Sequence, residues 1–365
     1  MKKSITYLEN LYNDNSCNLS NDKYLSLNII QEYLNKFKFF NRNIIGRSVN
    51  NLPIYSFEIG KGKTKILIWS QMHGNETTST KSILDLLNTL SNNNYNEITD
   101  NLSLYIIPIL NPDGALNYSR ENLNNVDLNR DAVNLSQPES RSLNNYFNKI
   151  QPEYCFNMHD QRTIYGSDNN NLPSCLSFLS PSYDVNSSIN ITRKKSMNVI
   201  EAIYNSFNSN LSNKINLYDD TYNKNCFGDK FQKRGSATIL FESGFFKNDY
   251  KRIKTRKYIY ISLFFSFFHI INPLNYKVQY SEISKNKVLF FDIIINYKSF
   301  DIGLNYKEVF MSNKIEFFAV VEFLGDLSKY KAHKLLIYNE LKFNLDINSI
   351  KEGDVIHDLN SNVKF

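Results

Sequence analysis

Residues 64–87 read TKILIWSQMHGNETTSTKSILDLL. The run TKILIW has the apolar, β-branched character of a buried strand, and TTSTKSILDLL has the spacing of a helix. Between them lies a short polar turn holding His73 and Glu76, in a chain with only 5 histidines. On a strand-to-helix turn, positions i and i+3 let an imidazole and a carboxylate face one point. The pair alone is weak, because a histidine at a strand end is more often packed or capping than ligating.

The flanking sequence places this unit in an alternating pattern. NLPIYSFEIG and KTKILIWSQ read as strands separated by the turn KGK, and NLSLYIIPILNPDG as a buried strand ending in a Pro-Asp-Gly turn. PEYCFNMHDQ and SATILFESG read as further strands. Helical spacing runs through residues 21–40, PESRSLNNYFNKI and ITRKKSMNVIEAIYNSFNSNL. Alternation of this kind predicts an α/β fold in three layers, a mixed β-sheet flanked by helices, over residues 1–272. Beyond INPLNY, the segments KVLFFDIIINYKSFDIG, KIEFFAVVEFLG and HKLLIYNELKFNLDI turn β-rich, which predicts a small β-rich appendage over residues 275–365.

The bulk numbers exclude more than they select. A chain of 365 residues that is 42% hydrophobic and 14% aromatic can build a large core. A net charge of +6 over that length, without a like-charge block, predicts no nucleic-acid partner. The 4 cysteines (Cys17, Cys155, Cys175, Cys226) show no CxxC pair, so neither a disulfide framework nor a cysteine zinc site is expected. MKKSITYLENL lacks an apolar signal core. YIYISLFFSFFHIINPL (258–274) is apolar all round but short for a membrane span and carries Ser262, Ser266, His269 and Asn272; it reads as a buried helix. The expected location is cytoplasmic, with no membrane association, and the oligomeric state is left open.

Two further strand ends strengthen the His73–Glu76 reading. His159 closes CFNMHD, and ligands gather at the carboxyl ends of strands in open α/β sheets. Two imidazoles and a carboxylate with an open fourth position form a catalytic zinc set. Glu242 follows TILF, where a carboxylate must emerge into a polar site or be paired; it reads either as an ion-pair partner or as a general base. Arg120, Asn129 and Arg130 lie in NPDGALNYSRENLNNVDLNRD, after a strand, and arginine suits bidentate carboxylate recognition. His269, His333 and His357 read as structural.

Taken together, HGNE, NPDG, the Arg of SRENLNNVDLNRD, the Asn-Arg of DLNRD, the His of NMHD and the Glu of ILFESG resemble the M14 zinc carboxypeptidase family in order and spacing, from about residue 40 to about 245. The resemblance implies one zinc ion per chain held by His73, Glu76 and His159. It implies Glu242 as the base that activates the attacking water, Arg120 as the oxyanion stabiliser, and Asn129 with Arg130 as the clamp on the terminal carboxylate of a peptide substrate. It further implies a tyrosine closing over the substrate, for which LYDDTYNKNCFGDKF offers Tyr218 and Tyr222, with Tyr222 favoured. The base of the specificity pocket falls near Phe227, Gly228 and Asp229. An acid there would attract a basic C-terminal side chain, unless Asp229 is paired with Lys233 or Arg234, whereas Phe227 at that place would favour apolar residues. Many family members carry Arg where this chain has Asn75, which removes one subsidiary carboxylate contact. The implied activity is removal of a C-terminal residue. Two other readings stand beside it: a zinc deacylase of N-acyl amino acids, and a catalytically silent binding protein on the same fold.

Overall fold

The computed structural model describes residues 4–360 apart from 21, 38–39, 93–94, 169–171, 208, 299, 344 and 348. The main sheet draws on β1 (Asn41–Arg47), β2 (Pro53–Ile59), β3 (Thr64–Ser70), β4 (Leu102–Ile107) and β5 (Tyr154–Asp160). β6 (Tyr165–Ser167) stands apart from it, and β7 (Leu176–Leu179), β8 (Ile215–Leu217) and β9 (Ala237–Ser243) complete it. The spatial order is β1-β2-β4-β3-β5-β9-β7-β8. β4, β3, β5 and β9 run parallel at the centre, and antiparallel pairing appears on both sides of them. This is why the central strands read as continuous apolar runs: both faces are covered.

One face packs on helices Ile5–Asn15, Thr78–Asn92, Ile191–Ser206 and Ile253–Ile271 around Ile68, Phe156, Ile239 and Phe264. The other packs on Pro138–Ile150 and Phe227–Lys233 around Trp69, Phe147 and Phe231. These are the three expected layers. Residues 258–271 of the apolar stretch lie in the largely buried helix Ile253–Ile271, which stops before Asn272, and no helix among the described residues is long and apolar enough to cross a membrane. The helix Ile5–Asn15, capped by Ser4, was not anticipated from the sequence.

The C-terminal segment forms β10 (Asn286–Tyr297), β11 (Phe300–Met311), β12 (Lys314–Gly325) and β13 (Lys331–Ile337), in the order β12-β11-β10-β13. Its sheet is sewn to the rest of the chain, since β10 also pairs with β6 through Asn286↔Ser167 and Leu289↔Tyr165. A buried polar cluster adds a second tie. Glu308 on β11 accepts hydrogen bonds from Lys23, from Tyr118 Oη at 2.7 Å and from Arg162 Nη1 at 2.7 Å.

Candidate metal centre and catalytic cleft

Two glycines set the turn after β3. A Cβ on Gly74 would come within 1.9 Å of the Gly114 backbone. The HGNE turn and the NPDG turn therefore lie backbone against backbone, which only glycine permits. Asn111 holds the pair together: its Oδ1 caps Gly114 N at 2.9 Å, and its Nδ2 donates to Met72 O at 3.2 Å. The following helix begins at Thr78, whose N–H and hydroxyl both donate to Asp160 Oδ2, at 3.1 and 2.6 Å. Asp160 neighbours His159, so the same contact locks the end of β5 to the start of the helix.

His73, Glu76 and His159 thus meet. Their candidate ligand atoms all lie within 4.8 Å of one another, and all three residues are buried. His73 Nδ1 is 2.8 Å from Glu76 Oε1, and His159 Nδ1 is 2.8 Å from Glu76 Oε2. Asp160 N also donates to Glu76 Oε2 at 3.1 Å. On the far side of its ring, His73 Nε2 lies 3.0 Å from Asp127 Oδ1, a pure acceptor, so the network assigns the proton to Nε2. The Nδ1 lone pair then faces a carboxylate oxygen, an arrangement that a metal cation or a second ring proton between them relieves. Two imidazole nitrogens and a carboxylate are the donors zinc prefers, so the residues fit a zinc ion. Among the described residues no other cluster offers such a donor set.

Electrostatics follow the same geometry. Burial pushes the Glu76 carboxyl up, but the His73 and His159 imidazoles outweigh it and hold the group well below the usual range. Burial lowers His159, whereas for His73 the carboxylates of Glu76 and Asp127 overcome burial and raise it. Glu242 stands in register beside His159 on the adjacent strand, facing the cleft. Burial first, then the charges of Glu76 and Asp160, push its carboxyl well above the ordinary value.

The cleft holds about 310 Å³. Arg120, Asn129, Arg130, Tyr218, Asp229 and Glu242 line it together with the three candidate ligands. Arg120 is oriented by Asp127, to which it donates from Nε at 3.2 Å and Nη2 at 3.0 Å, and its Nη1 stands 3.5 Å from Glu76. Arg130 donates to Asn129 O at 2.8 Å, and Asn129 Oδ1 accepts Phe227 N at 3.2 Å. Tyr222 is not among the lining residues; its ring lies under Lys233 Nζ at 5.8 Å, whereas Tyr218 lines the cleft and donates to Tyr165 Oη at 3.3 Å. The tyrosine brought to the cleft is therefore Tyr218. Asp229 is buried and accepts Asn223 N at 3.0 Å. The alternative pairing with Lys233 or Arg234 is not made, because Lys233 packs on Tyr222 and Arg234 on Phe147. Burial raises the Asp229 carboxyl to about 6. Asp127, which orients both His73 and Arg120, escaped the sequence reading although it sits inside the DLNRD motif.

Comparison with known proteins agrees with this architecture. The family model for zinc carboxypeptidases (Peptidase M14) matches residues 29–225, more than half of the chain. Carboxypeptidase SOL1 of Arabidopsis thaliana is 32% identical over 128 residues, 29% of this chain and 26% of that protein. Probable carboxypeptidase 2 of Arthroderma benhamiae is 31% identical over 100 residues, 26% of this chain and 19% of that one. The chain thus spans about a quarter or less of the length of these curated relatives. Among solved structures, a metallo-carboxypeptidase from Burkholderia cenocepacia superposes with a TM-score of 0.54 at 15% identity, covering 68% of this chain and 71% of that one. Bovine thrombin-activatable fibrinolysis inhibitor superposes with a TM-score of 0.53 at 16% identity, covering 69% and 98%. At these identities the likeness speaks for the fold.

Proposed function

The chain belongs to the zinc carboxypeptidase family, and from that premise we propose that it is a zinc-dependent metallocarboxypeptidase, releasing the C-terminal residue of peptides. One observation carries the reading. A buried His-Glu-His donor set, a cleft-facing glutamate on the adjoining strand, and two arginines with an asparagine share a single cavity.

His73, Glu76 and His159 would hold one zinc ion, whose Lewis acidity makes water nucleophilic near neutral pH and polarises the scissile carbonyl. The chain's own groups supply the rest. Glu242 takes the proton from the attacking water and delivers it to the leaving amine nitrogen. Arg120, held by Asp127, directs positive charge at the oxygen on which negative charge develops. Arg130 and Asn129 receive the terminal carboxylate, which confines cleavage to the last residue. Asp229, buried in the cleft and not paired with Lys233 or Arg234, favours a basic C-terminal side chain.

The test is a panel of peptides with free and amidated C-termini, together with N-acyl amino acids, assayed on zinc-loaded protein. Release of the last residue from free termini, with amides resistant, is expected. Equal cleavage of amides, or turnover of N-acyl amino acids alone, would overturn the reading.

A further inference from the structure

A second cavity of about 470 Å³ adjoins the catalytic cleft, and residues Gln161, Arg162 and Thr163 line both. These three follow directly on the strand that carries His159, so the two spaces share one short wall. The far side of the second cavity comes from the C-terminal sheet: Phe290 and Phe291 on β10, Phe323 on β12, and Tyr330 just before β13. Phe291 meets Tyr330 edge-on at 5.7 Å, and Phe323 lies 6.2 Å from the same ring. Phe323 is 36% exposed, so its ring is accessible from the cavity.

The charged groups around this aromatic floor are already occupied. Lys307 binds Glu322 at 2.6 Å. Arg252 donates to the carbonyls of Ser243 and Gln161 and lies over the Phe245 ring at 4.2 Å. Glu308 engages Arg162, Tyr118 and Lys23, which fixes the shared wall to the C-terminal sheet. With these charges engaged internally, the aromatic side of the cavity is left to receive an apolar group. Its volume falls in the range of about 300–1,000 Å³ typical of ligand sites.

A peptide whose terminal carboxylate sits at Arg130 has only its acyl side left to run out of the cleft, and residues 161–163, which line both spaces, set the second cavity beside that exit. We propose that the second cavity is a subsite of the catalytic cleft, receiving an aromatic side chain of the peptide substrate upstream of the scissile bond. The proposal rests on the peptidase reading above, and it gives the C-terminal sheet a part in substrate selection.

The experiment uses the full-length zinc-loaded protein and alanine-based hexapeptides with one common, cleavable C-terminal residue. Phe is scanned through the upstream positions. At one position Phe should raise kcat/KM about tenfold or more over Ala, as burial of a phenyl ring does. The ratio of the Phe peptide to the Ala peptide should collapse in Phe323→Ala and in Tyr330→Ala. Both residues are only partly buried, so the fold tolerates the change. In parallel, fluorescence anisotropy with labelled versions of the same peptides measures their affinity for Glu242→Gln. Equal rates and affinities at every upstream position would overturn the subsite, as would a Phe preference that survives both substitutions. A Phe preference in binding that both substitutions abolish, without release of any C-terminal residue by the wild type, would leave the subsite standing and overturn the peptidase reading instead.

Discussion

Asp127→Asn tests how the centre is organised, because one carboxylate there serves two roles. Oδ1 accepts from His73 Nε2 at 3.0 Å and from Asn129 N at 2.8 Å, while Oδ2 takes the Arg120 fork at 3.2 and 3.0 Å. An amide keeps one oxygen. That oxygen stays with the two donors on the His73 side, which leaves the amide NH2 against the Arg120 fork, donor to donor. Two charge-assisted hydrogen bonds are lost, each worth about 1.5–3 kcal/mol. The Arg120 side chain is 37% exposed, so water recovers much of that loss. A net cost of about 1.5–3 kcal/mol at Arg120 translates into roughly a 10- to 150-fold lower kcat/KM. The His73 contact survives, so zinc affinity should fall by no more than about tenfold, the low end for a group behind a ligand. Asp127→Ala removes both contacts and should weaken zinc by up to about 100-fold. Chelator competition reads the metal, and initial rates on a peptide with a free C-terminus read kcat/KM. If Asp127→Asn leaves kcat/KM at the wild-type value while Asp127→Ala keeps full zinc affinity, Asp127 orients neither residue.

Glu242→Gln should retain zinc and bind peptide while losing about 10²–10⁴ in kcat, the usual contribution of a positioned base; wild-type turnover would remove Glu242 from the mechanism. The Asp229 carboxyl, raised to about 6 by burial, is neutral below that value and charged above it. Any preference for C-terminal Lys over Phe should therefore be full above pH 7 and fade as the pH falls through 6, which a ratio of kcat/KM values from pH 5 to 8 would reveal; a flat ratio would separate Asp229 from selectivity. The buried Asp85 accepts Arg256 at both oxygens, at 2.7 and 2.5 Å. Asp85→Ala strands a buried guanidinium and should cost about 3–5 kcal/mol in urea unfolding. Glu308→Gln should likewise lower the urea midpoint, because the Lys23 ammonium it meets is buried; an unchanged midpoint would mean that the polar cluster does not hold the C-terminal sheet in place.

How much of this was legible follows from how local each signal is. His73 and Glu76 sit on one turn, and His159 and Glu242 each end an apolar run, so strand ends in a parallel sheet announced three candidate ligands and a candidate base. The role of Asp127 depends on a ring nitrogen 54 positions earlier, which no periodicity marks. Lys23 and Glu308 are 285 positions apart and paired only by the docking of the C-terminal sheet. Tyr218 and Tyr222 flank an irregular stretch whose path no repeat dictates, so spacing could not tell which ring reaches the cleft. Ser4 ahead of an amphipathic ITYLENLYNDN was readable as a capped helix, and its signal was overlooked in the search for a signal peptide.

The division between what the sequence marked and what it did not has a physical source in how the centre is built. The candidate ligands sit where backbone is tightly engaged: Gly74 packs against the Gly114 backbone, Thr78 N donates to the Asp160 carboxylate, and Asp160 N donates to Glu76. Each contact limits the residue types allowed, so chemistry there leaves a motif. The groups proposed to face a substrate are of another kind. Arg130 is exposed, and Tyr218 and Asn223 lie on loop. Loops tolerate substitution because little packing depends on them. A candidate catalytic set fixed by packing, joined to a proposed recognition surface that is not, would allow the specificity of such a fold to drift while its reaction stays constant. The C-terminal sheet extends that logic, since it contributes aromatic side chains to a cavity beside the cleft and none to the candidate metal centre.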